Sequence, residues 1–361
     1  MRQLLLVGAG HAHVEVLREF ARRHSPDSRT ALISPDPTLL YSGMVPGVIA
    51  GHYRVEEAAI PIARIAAAAG IEFVPSSVTA LDANARTVTC ADGATRRYDV
   101  LSLDTGAVAD ADAIVGAREN ARFVRPMAAF LDEAATLIER AYTQPVSIVV
   151  VGGGAAGFEL ALAVKHRLGS QGHVSLVAGV LLLAGYPAAV AARGRKALQR
   201  AGVTTLDEEC VRIDVAHAVL KSGARLRCDA VWMTTGAAAP TWLAESGLAL
   251  DARGFVATGP TLQSRSHANV FASGDVATRT DTPHPKSGVH AVRAGAALAR
   301  NLRRALAGET ELPYQPPLRT LNLLSCGSRE AIACWADWSA QGGWAWRWKN
   351  YIDRRYVARF R

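Results

Sequence analysis

Cysteine is scarce in this chain and is wrongly spaced for a redox or metal centre. The 361 residues include five cysteines, and no two of them form a C-x-x-C or C-x4-C pair. They are Cys90, Cys210, Cys228, Cys326 and Cys334. So small and odd a number argues against a secreted disulfide framework and against a zinc site of four cysteines. We therefore expect a reducing, cytoplasmic compartment.

Long apolar segments are also missing, with one exception. The N-terminal run lacks the length and the cleavage site of a signal peptide, so it is interpreted as a strand. Residues 174–192 form an uncharged stretch of 19 residues, close to the roughly 20 that a spanning helix needs. Gly179, Gly185 and Pro187 interrupt it, and a nucleotide-binding fold has a buried parallel strand at this place. We interpret it as that strand, with a membrane span as the alternative.

Charge and aromatic residues are present but unevenly distributed. Half of the residues are hydrophobic and a fifth are charged, which excludes wholesale disorder and allows two or three domains. The net charge of +8 favours acidic partners such as dinucleotide phosphates, anionic lipid or nucleic acid. Residues 335–361 hold five of the seven Trp, and six basic residues against two acidic ones.

The strongest pattern is an internal duplication. Residues 3–17 (QLLLVGAGHAHVEVL) and 146–162 (VSIVVVGGGAAGFELAL) each join an apolar run, a Gly-rich turn and a helical run. Residues 98–108 (YDVLSLDTGAV) and 228–238 (CDAVWMTTGAA) each end their unit at Thr-Gly. The two copies predict an α/β protein with two Rossmann-like dinucleotide-binding domains.

The glycines of the first turn predict contact with a dinucleotide. Gly8 permits a tight turn after the strand, and Gly10 lets backbone N–H groups approach a pyrophosphate at a helix N-terminus. His13 stands where the pattern expects a small residue. His11 and His13 could chelate a metal, but they belong to the turn itself, so no metal site is predicted.

The second turn matches the dinucleotide pattern completely, with Gly152, Gly154 and Gly157. At the end of the second strand, where an acidic residue would bind a ribose hydroxyl, the two units have Ser34 and Ala178. NADH and NADPH therefore both remain possible for the second unit. We interpret Arg193 and Arg195 as solvated helix charges, with binding of a 2′-phosphate as the alternative.

Further motifs make the chain resemble a known superfamily. Together with NVFASGDVA (269–277), the two turns and Thr-Gly ends resemble the pyridine nucleotide–disulfide oxidoreductases, flavoproteins with two dinucleotide-binding domains. YSGMVPGVIAGHY (41–53), APTWLAESGLALDARGFV (239–256) and PKSGVHAVRAG (285–295) are similar to one subgroup. That subgroup is related to type II NADH dehydrogenases and sulfide:quinone oxidoreductases. It also occurs fused ahead of selenide, water dikinase, which implies a possible link to selenophosphate synthetase.

The resemblance implies an order of domains and a set of cofactor-binding residues. An FAD domain (1–110 and 237–312) would be split by an inserted NAD(P)H domain (111–236) and followed by a C-terminal segment (313–361). The cofactor-binding residues implied are Gly8, Gly10, His11, Ser34, Thr105, Gly106, Gly152, Gly154, Gly157, Glu159, Thr235, Gly236, Gly274, Asp275, Lys286, Ser287 and Gly288.

Three candidate catalytic residues also come from the resemblance. Glu159 matches an acid that contacts the nicotinamide nucleotide in relatives. Pro46 and its loop would pack near the isoalloxazine. Lys286 would begin a helix whose partly positive N-terminus points at the flavin and stabilises its anionic reduced form.

The implied function is that of an FAD-dependent NAD(P)H oxidoreductase. A hydride would pass from the nicotinamide to the flavin, and electrons would pass on to an acceptor, of which a quinone is favoured. The alternatives are a flavin-binding partner protein of selenium or sulfur metabolism with little turnover, and a sulfide:quinone-type enzyme. Because the redox cysteine pair is missing, Cys326 and Cys334 are interpreted as buried structural residues. The oligomeric state stays open.

The C-terminal segment has a pattern of its own. Leu318–Trp335 predicts a two-stranded hairpin around Gly327, and a helix should follow. Aromatic and apolar residues recur every four positions along that helix: Trp344, Trp348, Ile352, Tyr356 and Phe360. The stripe predicts either an interfacial helix on an anionic membrane, peripheral on the inner face of the cytoplasmic membrane, or a helix packed on the flavin domain. Nucleic acid binding is not predicted.

Overall fold

A computed structural model describes residues 1–23 and 28–361 of the chain. Its first part is an α/β unit. The elements are β1 (Arg2–Val7), α1 (His11–Arg22), β2 (Ser28–Ile33), β3 (Leu39–Leu40), α2 (Val45–Ile49), β4 (Ala59–Ile60), α3 (Ile62–Ala68), β5 (Glu72–Val74), β6 (Val78–Asp82), β7 (Thr87–Cys90), β8 (Thr95–Arg97), β9 (Val100–Leu103) and β10 (Val108–Ala109). β1 pairs in parallel with β2 and β9, and β6–β8 form a small antiparallel sheet.

The second unit repeats this plan. Its elements are α4 (Ala117–Asn120), β11 (Ala121–Phe123), α5 (Met127–Arg140), β12 (Val146–Val151), α6 (Ala155–Leu168), β13 (Gly172–Val177), α7 (Ala188–Ala201), β14 (Thr204–Leu206), β15 (Cys210–Asp214), β16 (His217–Leu220), β17 (Arg225–Arg227) and β18 (Ala230–Met233). The parallel sheet has the order β11-β18-β12-β13-β14, and β15–β17 form the small antiparallel sheet. The duplication read in the sequence is thus a duplication of structure.

The uncharged stretch at residues 174–192 does not form one long helix. Its first part belongs to β13, which is largely buried because a parallel strand has helices on both faces. Its last part begins α7. Among the described residues, no helix is long and apolar enough to cross a membrane.

The chain then returns to the first unit. The returning elements are β19 (Ala237–Ala238), β20 (Val256–Thr258), β21 (Val270–Ala272), β22 (Ala277–Arg279) and α8 (Gly288–Ala307). β21 pairs in parallel with β9, which completes the sheet order β21-β9-β1-β2-β5. β10 and β19, where the chain leaves and re-enters the first unit, pair with each other. The expected fold, an FAD-type domain split by a second dinucleotide domain, is confirmed, while the residue boundaries given above stay a prediction.

The C-terminal segment contains one strand more than the sequence predicted. Its elements are β23 (Leu321–Ser325), β24 (Ala331–Trp335), β25 (Trp338–Gly342) and α9 (Gly343–Ala358). The hairpin around Gly327 is present, and β25 adds a third antiparallel strand. The short, glycine-ended sequence of β25 has no strong strand pattern, and pairing with β24 provides its hydrogen bonds.

The helical stripe of the C-terminal segment is divided between two environments. Tyr356 and Phe360 are buried in the same apolar cluster as α1 and α8. Trp344, Trp348 and Ile352 are 41%, 42% and 37% exposed. Each of the two alternatives for this helix therefore describes one half of it.

Candidate active site

The two Gly-rich turns occupy the same place in their units. Gly8 and Gly152 have φ angles of +84° and +127°, which favour glycine. Each turn leads into a helix, α1 or α6, of at least 12 residues. Each lies beside the end of the strand that closes its unit, at β9 or β18. This edge of a parallel sheet is where dinucleotides bind.

A cavity of about 910 Å³ runs along the first turn, near the upper end of the roughly 300–1,000 Å³ common for small-molecule sites. The structure brings half of the residues expected at a cofactor onto its wall. These are Gly8, Gly10, His11, Ser34, Thr105, Gly106, Asp275 and Gly288. Gly274, just before Asp275, packs against Asp104.

The chemistry of this wall fits the pyrophosphate of FAD. Nε2 of His11 is buried and has no hydrogen-bond partner among the described residues. Burial lowers the pKa of His11 to about 4, so the ring is neutral at pH 7. Arg125 also lines the cavity, and its Nη2 lies 2.9 Å from Oδ2 of Asp275. An unsatisfied ring nitrogen and a guanidinium group on one wall suit an anionic ligand.

Two residues on this wall were not anticipated from the sequence. Arg125 lies in the connection before α5, which carries no motif, so no local signal could have identified it. Asp36 lines the cavity two residues after Ser34, and its side chain is exposed. A carboxylate near the end of β2 suits a ribose hydroxyl, and allowing two further residues in the expected spacing would have found it.

Gly10 has a different reason to be glycine from the one expected. A Cβ atom at Gly10 would lie 2.5 Å from Cγ of Asp104, so the side chain of this chain's own aspartate fills the space. Asp104 Oδ2 accepts a hydrogen bond of 2.8 Å from the backbone N–H of His13. The close approach at Gly10 is therefore made first by protein.

The second turn is open where the first is filled. A Cβ atom at Gly154 would meet no heavy atom within 4 Å, although one at Gly157 would collide with the carbonyl oxygen of Gly152. Oγ1 of Thr235 is buried and has no partner among the described residues, and Gly236 beside it accepts a hydrogen bond from the N–H of Asp110. A glycine with free space beside it at a helix N-terminus fits the pyrophosphate of NAD(P)H.

The two arginines considered for a 2′-phosphate already have partners. Arg193 donates to the carbonyl oxygen of Ser339 over 3.3 Å. Arg195 pairs with Asp207 at 2.8 Å. Neither guanidinium is free for a phosphate, and the preference between NADH and NADPH stays open.

Two of the candidate catalytic side chains do not line the cavity. Lys286 is turned toward β22, where its Nζ donates to the carbonyl oxygen of Ala277 over 2.8 Å and lies 3.5 Å from the ring centre of Phe255. Pro46 is buried in α2, and the preceding residues Leu40 and Ser42 line the cavity instead. Their catalytic roles stay predictions that the side-chain positions do not support.

The helix N-terminus expected near the flavin is nevertheless in place. Ser287 precedes α8, and Gly288 and Ala291 in its first turn line the cavity. Backbone N–H groups and the helix dipole, rather than the Lys286 side chain, are directed at this space. Burial also lowers the pKa of Lys286 to about 8, so part of its charge is lost just above neutral pH.

Glu159 belongs to a buried group of ionisable residues that joins four parts of the chain. Its Oε1 accepts a hydrogen bond of 2.7 Å from the N–H of Ser325 in β23. On α9, Lys349 Nζ lies 2.8 Å from Asp353 Oδ2 and donates to the carbonyl oxygen of Gly43 over 2.7 Å. We call Tyr41, Glu159, Lys349 and Asp353 the junction cluster; Tyr41 contacts both His11 and the Asp353 carboxylate.

Electrostatics within the junction cluster favour a mobile proton at one member. Burial raises the pKa of Glu159 to about 6, although Lys349 opposes the shift. Burial acts to lower the pKa of Lys349, but Asp353 and Glu159 outweigh it, so this lysine stays charged. The spacing of Lys349 and Asp353 on one helix face could have revealed the pair, whereas its contact with residues near 43 could not be read from sequence.

Comparison with known proteins identifies the family. The family model of pyridine nucleotide-disulphide oxidoreductases matches residues 2–295. The chain belongs to this family. It is accordingly an FAD-dependent NAD(P)H oxidoreductase, with FAD as its cofactor and NADH or NADPH as its reductant.

Individual relatives are distant. Demethylphylloquinone reductase NdbB of Synechocystis is 24% identical over 309 residues, 81% of this chain and 76% of that protein. Ferroptosis suppressor protein 1 of Xenopus tropicalis is 28% identical over 200 residues, 51% of this chain and 52% of that protein. The match to the frog protein therefore spans about half the length of each chain.

Solved structures share the fold over nearly the whole chain. Sulfide:quinone oxidoreductase of Aquifex aeolicus has a TM-score of 0.84 at 20% identity, covering 100% of this chain and 92% of that one. NDH2 of Plasmodium falciparum, solved with NADH, has a TM-score of 0.81 at 13% identity, covering 99% and 98%. These likenesses extend the shared fold to the C-terminal segment, beyond the residues that the family model matches.

This member of the family lacks the cysteine chemistry in the family's name. All five cysteines are free and buried. Burial raises the thiol pKa of Cys326 to about 12, and Glu159 and Glu330 raise it further. Burial likewise raises the pKa of Cys334. A reactive cysteine needs the opposite, a stabilised thiolate.

Proposed function

We propose that this oxidoreductase passes electrons from NAD(P)H to a lipid-soluble quinone. Demethylphylloquinone reductase NdbB and the sulfide:quinone oxidoreductase are relatives whose names specify quinones. Bound FAD would accept the hydride and hand two electrons to the acceptor. The residues of this chain bind the two dinucleotides, orient them and manage protons.

The observation that carries the proposal is the arrangement of the C-terminal segment. Its inner side supplies Lys349 and Asp353 to the junction cluster. Its outer side exposes a group of rings that we call the aromatic face. The aromatic face consists of Trp335, Trp338, Trp344, Trp348 and Tyr351, which are 41–57% exposed. An exposed apolar face backed by an acid–base cluster suits an acceptor that arrives from lipid.

Glu159 is the residue best suited to move a proton during acceptor reduction. Conversion of a quinone to a quinol consumes two electrons and two protons. Glu159 has a pKa of about 6, so it can take up and release a proton near neutral pH. Lys349 stays charged beside it and favours its return to the carboxylate.

Attachment to an anionic membrane surface is part of the proposal, but fewer charges are available than the sequence suggested. Arg354 pairs with Glu57 and Arg359 with Glu15. Lys349 lies in the junction cluster, and Arg361 donates to the carbonyl oxygen of Glu56. Of the six cations, Arg347 has no partner among the described residues, and Arg355 contacts only the Tyr351 hydroxyl and ring.

Two available cations imply a weak electrostatic attachment. At about 1 kcal/mol for each Lys or Arg near the surface, they supply about 2 kcal/mol. This is about half of what four engaged charges would give. Insertion of the aromatic face would have to supply the rest, and localisation at the inner face of the cytoplasmic membrane would follow.

The deciding experiment follows the purified holoenzyme under anaerobic conditions. NADH or NADPH should bleach the flavin spectrum, and a lipid-soluble quinone in anionic vesicles should restore it over many turnovers. A flavin that stays oxidised under both nucleotides would support the alternative, a flavin-binding partner protein with little turnover. Turnover with sulfide as the electron donor, dependent on Cys326 or Cys334, would replace the proposal by sulfide chemistry.

Variants separate the role of the aromatic face from general effects. Trp338→Ser with Trp348→Ser should weaken vesicle binding and slow reduction of the lipid-soluble quinone, while reduction of the flavin by NAD(P)H stays unchanged. Tyr142→Ser is the matched control, because Tyr142 is 78% exposed outside this face. Equal effects of the control and the double variant on vesicle binding would contradict the proposal.

A further inference from the structure

A buried carboxyl group occupies the N-terminus of α1. Asp104 follows β9 and is 2% exposed. Its Oδ2 accepts the N–H of His13, and the N–H of Ala12 also contacts the carboxyl group. Because the N-cap residue Gly10 has no side chain, Asp104 satisfies helix donors from a neighbouring strand.

The same carboxyl group is wedged between the two segments expected to hold the pyrophosphate of FAD. Its Oδ1 occupies the space that a Cβ atom would take at both Gly10 and Gly274. Asp104 also lies on the wall of the large cavity. Any pyrophosphate bound at this turn is therefore a close neighbour of Asp104.

The second unit has a neutral residue at the equivalent position. Thr234 precedes Thr235-Gly236 as Asp104 precedes Thr105-Gly106. The Thr234 hydroxyl donates to the carbonyl oxygen of Val151 over 2.9 Å. A hydroxyl there carries no charge toward a bound dinucleotide, so the acidic group is a special feature of the first unit.

Few groups around Asp104 could balance its charge beside a pyrophosphate. Asp275 carries a second negative charge, and Arg125 is already paired with it. The other titratable neighbours are His11, His13, Lys286 and Tyr356. Both histidines are neutral at pH 7, because burial lowers their pKa values to about 4. Lys286 is turned toward Ala277, away from the turn.

We propose that Asp104 is a positioning residue for FAD and carries a proton whenever FAD is bound, so that loading of the flavin takes up one proton. Oδ2 keeps accepting the helix N–H, and Oδ1 holds the proton on the side of Gly10 and Gly274. The neutral group then holds α1 and the turn in place without repelling the pyrophosphate. The proposal rests on FAD binding by the first unit and is independent of the electron acceptor.

The acidity of the free site agrees with this. Burial raises the pKa of Asp104 to about 7; the backbone N–H groups of His13 and Ala12 oppose the shift and Asp275 adds to it. A dianionic pyrophosphate raises the pKa further. The proton is therefore partly present before FAD binds and fully present afterwards.

The test measures the affinity of the full-length apoprotein for FAD by flavin fluorescence between pH 6 and 8.5. Wild-type affinity should fall by up to about tenfold per pH unit above neutral pH, the limit for linkage to one proton. Asp104→Asn should bind with nearly constant affinity over this range. Asp275→Asn should keep the pH dependence but move its midpoint to lower pH, because a like charge has been removed.

Two further measurements protect the interpretation. Lys286→Gln is the matched control, because the pKa of Lys286 also falls in the range, at about 8; this variant should keep the wild-type slope. If Asp104→Asn does not fold, Asp104→Thr copies the second unit. Calorimetric titration of wild-type protein in buffers of different ionisation enthalpy should show net uptake of protons at pH 8. No uptake, or an unchanged slope in either Asp104 variant, would overturn the proposal.

Discussion

The two dinucleotide turns share a plan but differ in what fills them. In the first turn, the protein supplies its own contacts. Asp104 fills the space beside Gly10, and His13 contacts the carbonyl oxygen of Gly8 at 2.5 Å and Ser102 Oγ at 2.8 Å. In the second turn, Gly154 faces open space and the Thr235 hydroxyl has no partner among the described residues.

This difference matches the expected occupants. A braced turn holds its shape whether or not the ligand is present, which suits a cofactor that stays bound. An open turn leaves backbone donors and a hydroxyl free for each arriving molecule, which suits a reductant that binds and leaves at every cycle. The comparison therefore supports FAD in the first unit and NAD(P)H in the second.

A second contrast concerns the acid on each helix. Glu15 on α1 and Glu159 on α6 each follow the first glycine of their turn by seven residues. Both are met by α9. Glu15 pairs with Arg359 at 3.1 Å inside a packed helix interface, whereas Glu159 faces Lys349 in the junction cluster. The same position has become a structural ion pair in one unit and a candidate proton carrier in the other.

The sharpest test of the open second turn is Gly154→Val. The side chain would occupy the space left for the nucleotide and block about two charge-assisted hydrogen bonds, so the affinity for NAD(P)H should fall about a thousandfold. Folding and FAD content should be unchanged, because no protein atom lies within 4 Å. Stopped-flow reduction at increasing nucleotide concentration measures the effect. Loss of FAD from this variant would reverse the assignment of the two units.

Gly10→Val should act in the opposite way. Its side chain collides with Asp104 inside the protein, so unfolding free energy should fall by about 3 kcal/mol or more, and FAD should be lost with it. Denaturant unfolding and the flavin spectrum report the two effects. A Gly10→Val protein as stable as wild type would show that the first turn is not braced by Asp104.

The paired acids predict a split between function and stability. Glu159→Gln should slow quinone reduction about a hundredfold, and should remove a fall in rate as pH rises through about 6, the pKa of Glu159. Glu15→Gln should lower stability alone, since it leaves Arg359 and Arg18 without their partner. The pH profile of acceptor turnover distinguishes the two. A pH transition retained in Glu159→Gln would assign it to another group.

His13 should make stability depend on pH in a way that Gly157 cannot. Burial lowers the pKa of His13 to about 4 from 6.5, so the unfolded chain binds a proton first as pH falls. Between pH 7 and 5, wild-type stability should therefore lose about 2 kcal/mol from this group. His13→Gln keeps the polar side chain without this titration. Urea unfolding of both proteins at the two pH values should show a shallower loss in the variant.

Local patterns in the sequence identified much of the site. Gly8, Gly152, Gly154 and Gly157 lie at the turns they predicted, because a tight strand-to-helix turn depends on the torsions and space of its own residues. The hairpin around Gly327 was found for the same reason. The side chains of Lys286 and Pro46 were not located correctly by motif, because a motif fixes a place in the chain but not the direction of a side chain.

By itself, the sequence determined the α/β class, the duplicated units and the helix N-termini at the cofactors, because each depends on periodicity and glycine within a few neighbouring residues. Only the tertiary structure decided how the site is completed. Asp104 meets His13 across 91 residues, Arg125 meets Asp275 across 150, and Lys349 reaches Gly43 across 306. Such pairs arise from the packing of separate elements, and their polar groups are buried together only after the sheets and α9 have come together.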